Sequence, residues 1–177
     1  MGVYFRCAVC PVLLLFFARA LTETCQPVDV LKMIGYFRNM TAIYASAPPD
    51  GQSAPHCLHG VLTQYQPDSG NVTYVWTMRD SNGAESTIVH QVTKGPSPDK
   101  VYVVSSNDPS SSFIATVPYT DYKTCFVLET GDLGGQCLLW VNDEFKNNFP
   151  PKCTKKYKES CGKGVDIYDE EDCNSTD

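Results

Sequence analysis

The stretch NVTYVWTMRDSNGAESTIVHQVT, residues 71–93, decides the fold. Two runs rich in β-branched and aromatic residues flank the turn former Asp80-Ser81-Asn82-Gly83, which is the pattern of two antiparallel strands joined by a short connection. Asn71-Val72-Thr73 is also an N-glycosylation sequon, and a glycan must point away from a packed interior. Strand side chains alternate faces. With Asn71 outward, Val72, Tyr74, Trp76 and Met78 point inward.

Turn-forming clusters recur on both sides of this stretch. Pro48-Pro49-Asp50-Gly51, Pro67-Asp68-Ser69-Gly70, Gly95-Pro96-Ser97-Pro98, Asn107-Asp108-Pro109-Ser110 and Gly131-Asp132-Leu133-Gly134-Gly135 divide the chain into short apolar runs. The runs predict strands near 39–46, 57–65, 71–79, 86–93, 100–105, 113–118, 123–130 and 136–142. Eight consecutive strands with hairpin-sized turns can close into an antiparallel up-and-down barrel, which leaves no exposed edge. A barrel of that size is just wide enough for one small ligand. The flanks read as helical: a short helix within Val28 to Phe37 and a better one from Pro151 to Cys161, whose Lys155, Lys156, Lys158 and Glu159 read as a solvated face. The fold class is therefore all-β with minor α, with a C-terminal helix outside the barrel.

The N-terminus places Arg6 before an apolar stretch from Ala8 to Phe17, then Ala18-Arg19-Ala20. That is a signal peptide, residues 1–20, with a small-residue cleavage site. Its apolar stretch is about half of the roughly 20 residues a membrane span needs. Residues 21–177 then form a single secreted domain. Without Arg6 and Arg19, 12 Lys and Arg face 20 Asp and Glu, so nucleic acid and anionic membranes are poor partners.

The mature chain keeps Cys25, Cys57, Cys125, Cys137, Cys153, Cys161 and Cys173. In a secreted chain these form a disulfide framework, and no CxxC pair suggests zinc. Three bridges and one odd thiol can be drawn in on the order of a hundred ways, and spacing does not choose among them. Were Cys125 bonded to a cysteine of the outer 153–161 segment, Phe126 and Leu128 would face inward. Asn39, Asn71 and Asn174 each begin a sequon and are expected on the surface.

Catalysis finds little support. There is no Gly-x-Ser-x-Gly, no His-Glu-x-x-His and no phosphate-binding glycine loop,. His56, His59 and His90 read as surface histidines. His56 and His59 are three apart on a strand and so face opposite ways, which argues against a shared metal. Asp169-Glu170-Glu171-Asp172 reads as a solvated acidic tail. No cofactor is called for.

The C-terminal half carries Tyr119-Thr120-Asp121-Tyr122-Lys123-Thr124-Cys125, then Gly134-Gly135-Gln136-Cys137-Leu138-Leu139-Trp140-Val141, then Cys153 to Cys161 and an acidic tail ending in Cys173. With His56-Cys57-Leu58 in the second strand, this layout resembles the tick salivary lipocalins. That family includes histamine-binding proteins, lipid-mediator scavengers and Japanin-like immunomodulators. The chain departs from the usual Gly-x-Trp of lipocalins, which Gly35-Tyr36-Phe37 only approximates. The resemblance implies a lipocalin barrel and a disulfide-pinned tail, with Cys57 bonded to Cys173 and Cys125 to Cys153. Cys25, Cys137 and Cys161 are left for one further bond.

Amine-binding members of that family place an acid two residues before the last-strand Trp and another directly after the cysteine of the preceding strand. Here those positions hold Leu138 and Phe126. A buried ammonium without a carboxylate costs several kcal/mol, so histamine and serotonin are disfavoured. Tyr74, Trp76, Met78, Phe126, Leu128, Leu138 and Trp140 instead suit an apolar ligand such as a sterol, fatty acid or eicosanoid. The competing reading is that these side chains simply fill the barrel. By the resemblance, the chain is a monomeric secreted protein that binds a small hydrophobic host molecule and modulates host inflammation or immunity. The alternatives are amine scavenging, or a barrel serving as scaffold for binding a host immune-cell or plasma protein. The expected secreted product begins at Leu21 and migrates faster on electrophoresis after enzymatic deglycosylation; unchanged mobility would remove the outward assignment of Asn71.

Overall fold

The computed structural model describes residues 27–47, 54–66, 68–80, 82–131 and 135–173. The proposed signal peptide, Cys25 and the Asn174 sequon lie outside them.

Eight antiparallel strands follow one another round the sheet: β1 (Asn39–Ser46), β2 (His56–Gln66), β3 (Asn71–Arg79), β4 (Glu85–Lys94), β5 (Lys100–Ser105), β6 (Asp108–Thr120), β7 (Cys125–Glu129) and β8 (Cys137–Asn142). β8 pairs with β1 through Thr41↔Val141 and Ala42↔Trp140, and β1 pairs with β2 through Asn39↔Val61, so the sheet closes into a barrel. Alternation divides its two faces. Tyr74, Trp76, Phe126, Leu128, Leu138 and Trp140 belong to the interior cluster, with Met78 packed against it. Cys125, Val127, Leu139 and Val141 belong to an outer cluster beneath the C-terminal helix. Asn39 and Asn71 are exposed at strand starts.

The expected strands are found, with one large difference. β6 was expected at 113–118 and begins at Asp108, because the β5–β6 turn needs only Ser106 and Asn107. Pro109 is exposed there, on a stretch that gives up an N–H without burying an unmet carbonyl.

Helix α1 (Val30–Ile34) is shorter than expected. Asp29 caps it by accepting from the Lys32 amide,. It lies across the barrel end where three hairpin turns gather: the Val30 amide donates to Pro98 O, the Tyr65 hydroxyl to Leu31 O, and the Asp29 amide to the Tyr122 hydroxyl. Val30, Met33 and Ile34 face the interior and close that end.

Helix α2 (Pro151–Cys161) matches its expected range, with Pro151 at a first-turn position that needs no N–H and Gly162 after its last turn at φ 75°,. Cys153 and Tyr157, four apart, form the face turned to the barrel,. Cys125–Cys153 and Cys137–Cys161 tie this helix to β7 and β8. The Tyr157 hydroxyl, pushed up to about 12 by burial, donates to Cys137 O. Lys155, Lys156 and Glu159 form the expected solvated face with ion pairs along it.

The tail does more than the sequence suggested. β1 pairs with β2 only over Asn39–Thr41, and its far half continues beside β8, past a register shift between Ala42 and Tyr44, without β2. The short strand β9 (Gly164–Asp166) pairs with that half instead. Next to it Ile167, 1% exposed, joins the interior cluster; its amide donates to Ile43 O and its carbonyl accepts from the Cys57 amide. The C-terminal segment therefore fills the seam where β1 and β2 part. Helix α3 (Glu170–Cys173) ends on the Cys57–Cys173 disulfide. Its acids are exposed to solvent, as expected, and three of them also make contacts: Asp169 caps α3, Asp172 pairs with His56 at 2.7 Å, and Glu170 accepts from Asn147.

At the other end of the β1–β2 contact, Asp143 accepts from the Thr41 hydroxyl at 2.7 Å and meets His59 Nε2 at 2.8 Å. Burial pushes its carboxyl up, but those hydrogen bonds outweigh burial and hold it below the ordinary range. Its contribution to stability is present above the ordinary aspartate pKa and fades as pH falls through the depressed value. His59 and His56 thus serve separate carboxylates, and the two are not brought together.

Truncating the wedge tests the seam. Ile167→Ala should lower unfolding free energy by about 2–5 kcal/mol, measured by chemical denaturation with the three disulfides intact; a loss within about 0.5 kcal/mol, the range of ordinary surface changes, would show that the seam closes without it.

Candidate functional site

The barrel interior is the only extended apolar space enclosed by the described residues. A row of rings crosses it. Phe37 packs edge-on against Phe126 at 4.8 Å, Phe126 stacks on Trp140 at 6.3 Å, Trp140 meets Trp76 at 4.9 Å and Trp76 meets His90 at 4.1 Å, all between ring centroids. Gly60 makes this row possible. A Cβ there would lie 2.7 Å from Met40 Cε and 3.3 Å from the Trp140 ring, so the β2 backbone leaves the space that the indole occupies.

A cavity adjoins the row. It is bounded by Val30, Met33 and Ile34 from α1, Met40 from β1, Tyr74 and Trp76 from β3, His90 and Val92 from β4, and strands β5 to β7 through Val101, Val103, Phe113, Ala115, Val117, Phe126, Leu128 and Thr130. No carboxylate borders it among the described residues. The cavity's volume is about 50 Å³. Ligand pockets for drug-sized molecules are commonly some 300–1,000 Å³. The interior is therefore narrow, and a bulky rigid guest needs Met33, Met40 or Phe113 to swing aside. Larger depressions lie on the outside, one of about 590 Å³ beside Lys32, Lys94 and Lys100; these are open grooves in the surface and enclose nothing.

Of the residues expected from sequence, Tyr74, Trp76, Phe126 and Leu128 border the cavity. Leu138 and Trp140 are fully buried in the interior but stand behind the cavity wall, and Met78 is half-buried at its edge. The expectation that His90 lies on the surface is wrong. It is 2% exposed, faces inward opposite Tyr74, and its Nδ1 lies 2.9 Å from the Ser105 hydroxyl. Period-two alternation in Ile88, His90 and Val92 was the signal that could have placed it. The α1 residues were missed because a five-residue helix has too little periodicity to show which face is buried.

The polar atoms of the interior are mostly satisfied within the protein. The Tyr74 hydroxyl donates to Phe37 O at 2.8 Å, and burial raises its pKa well above the usual tyrosine value. The indole N–H groups of Trp76 and Trp140 are buried and have no hydrogen-bond partner among the described residues.

A closed eight-stranded barrel with an apolar, dry interior, a helix across one end and a second helix bonded to its outside defines a lipocalin-like binding protein. Residues 43–175 match the tick histamine-binding protein family, and the chain belongs to it. No curated protein matches it by sequence. Among solved structures, it is similar to a protein crystallised as its serotonin complex (AM182), with 20% identity, TM-score 0.64 and coverage of 84% of this chain and 94% of that one. It is also similar to Japanin from Rhipicephalus appendiculatus bound to cholesterol, with 14% identity, TM-score 0.58 and coverage of 76% and 94%. The amine-binding protein of Rhodnius prolixus, in its tryptamine complex, shares 13% identity at TM-score 0.52 over 78% and 85%. At these identities the likeness is one of fold.

Space at Gly60 governs the ring row. Gly60→Ala makes its tightest contact with the flexible Met40 side chain, comes within 3.3 Å of the Trp140 ring and should cost less than about 1.5 kcal/mol, whereas Gly60→Leu should cost about 1–3 kcal/mol and disturb the near-ultraviolet circular dichroism of the two tryptophans,. Equal effects of the two variants would refute the close approach.

Proposed function

We propose that this chain is a secreted carrier or scavenger of a small, largely apolar molecule, and that in a host it withdraws that molecule from inflammatory or immune signalling. The observation that carries this reading is the chemistry of the cavity wall: no carboxylate, lysine or arginine borders it among the described residues, and apart from the Tyr74 and Thr130 hydroxyls, the Trp76 indole and the His90 imidazole every side chain there is a hydrocarbon or a methionine. Membership of a family of ligand-binding barrels supports binding over catalysis. Among the relatives of this fold, one binds cholesterol. The narrow interior favours a compact or slender guest over an unyielding ring system, so sterol binding would require side-chain movement.

A second reading, amine scavenging, is favoured by the serotonin and tryptamine complexes of structural relatives. Electrostatics weigh against it here. A protonated amine in this cavity would meet no carboxylate, and leaving that charge unpaired costs several kcal/mol. Leu138 and Phe126, where amine-binding members carry acids, are buried among aromatic and aliphatic neighbours. Binding of a host protein by the outer loops is compatible with either reading.

Calorimetry and fluorescence separate these readings. Wild-type protein at micromolar concentration should give no heat with histamine or serotonin, while the slender neutral probe 1,6-diphenyl-1,3,5-hexatriene should bind with enhanced emission. Leu138→Glu should weaken the probe and lower stability by about 2–4 kcal/mol, because its buried carboxylate has no partner. Submicromolar histamine binding by the wild type would overturn the apolar reading.

A further inference from the structure

We infer that Phe113 is the doorway of the cavity, the side chain that a guest must push aside to enter or leave, and that it therefore sets the rates of exchange and the thickness of guest admitted. The inference rests on the apolar-cavity reading above and adds a route to it.

Phe113 stands where the cavity meets solvent. Among the described residues that border the cavity it alone is partly exposed; the others are buried, Leu128 being the most exposed of them at 8%. Its ring lies beside Gly131, an exposed residue just past β7. A Cβ placed on Gly131 would stand 3.0 Å from Phe113 Cβ and 3.3 Å from its Cδ2. One ring thus separates the apolar space from water.

The backbone beneath that ring is held on one side. β5 pairs Val103 with Phe113, but among the described residues β7 registers with β6 only at Thr116, Tyr119 and Thr120. The β5–β6 register also shifts between Val103 and Ser105, directly beyond this pair. The other end of the cavity is built differently. Val30, Met33 and Ile34 are at most 3% exposed there, and α1 is fixed by hydrogen bonds from the Val30 amide to Pro98 O and from the Tyr65 hydroxyl to Leu31 O. A guest passing under α1 must displace a helix and break those bonds, whereas rotation of a partly exposed ring breaks none and is fast. The gap that opens is about as wide as the ring that left it, which admits a slender hydrocarbon and holds back a bulky one.

Stopped-flow fluorescence with nanomolar 1,6-diphenyl-1,3,5-hexatriene tests this, because the observed rate against protein concentration gives association from its slope and dissociation from its intercept. Phe113→Ala should raise both rates by about tenfold and change Kd by less than about threefold, since a doorway alters the barrier in both directions alike. Gly131→Ala sets a methyl against Phe113 from outside the cavity wall and should slow both rates by about three- to tenfold. Met33→Ala trims the wall at the α1 end and should leave association within about twofold. If the probe binds but the Phe113 and Gly131 variants keep both wild-type rates, if Phe113→Ala changes dissociation alone, or if Met33→Ala is the variant that speeds entry, the inference is wrong and the apolar cavity stands. If the wild type does not bind the probe, the apolar-cavity reading fails and takes the inference with it. Should Phe113→Ala not fold, Gly131→Ala, at an exposed position, still decides.

Discussion

Closure of the seam between β1 and β2 is the constraint on which the rest of the structure depends. β1 and β2 share register pairs only at Asn39, Met40 and Thr41, while the far half of β1 runs on beside β8 without β2. An open seam would wet the interior and expose unpaired backbone. The C-terminal segment supplies what β2 does not: β9 pairs with β1, and Ile167 bridges Ile43 and Cys57 through its backbone while its side chain enters the core. The Cys57–Cys173 bond, spanning 116 residues, then holds the segment in place. In the loop-entropy account such a bond contributes about 4–5 kcal/mol, although that account is model-dependent.

A dry interior gives the aromatic row its character. With water excluded, Trp76, Trp140 and Phe126 pack with the contacts of an ordinary core, and Gly60 gives up a side chain so that Trp140 can sit against β2. One side of this row is solid, and the other faces the cavity under α1. The packed core and the cavity are thus two halves of one interior, with Leu138 and Trp140 in the solid half and Tyr74, Trp76, Phe126 and Leu128 on the boundary.

Much of this was legible in residue order. Turn clusters and strict alternation located the eight strands, because a barrel strand buries one face and cannot hide its period. The outward sequon at Asn71 oriented β3, and the cysteine layout of the family assigned Cys57–Cys173 and Cys125–Cys153. What escaped was non-local. Gly164-Val165-Asp166 is too short to show a strand period, and nothing local marks Ile167 as a wedge. His90 was misplaced because polarity was read before its position in the alternation, and the contacts that the solvated acids at 169–172 also make were not legible because their partners, His56 and Asn147, are remote in sequence. The narrowness of the cavity was not legible either, since it depends on how α1, Met40 and Phe113 fill a space that composition does not describe.

Native mass spectrometry of the protein as secreted tests the central claim most directly. The account predicts a bound species of small mass that survives gentle transfer, is released on denaturation or extraction with organic solvent, and is a neutral, largely hydrocarbon molecule. Recovery of a protonatable amine as the bound species would contradict it.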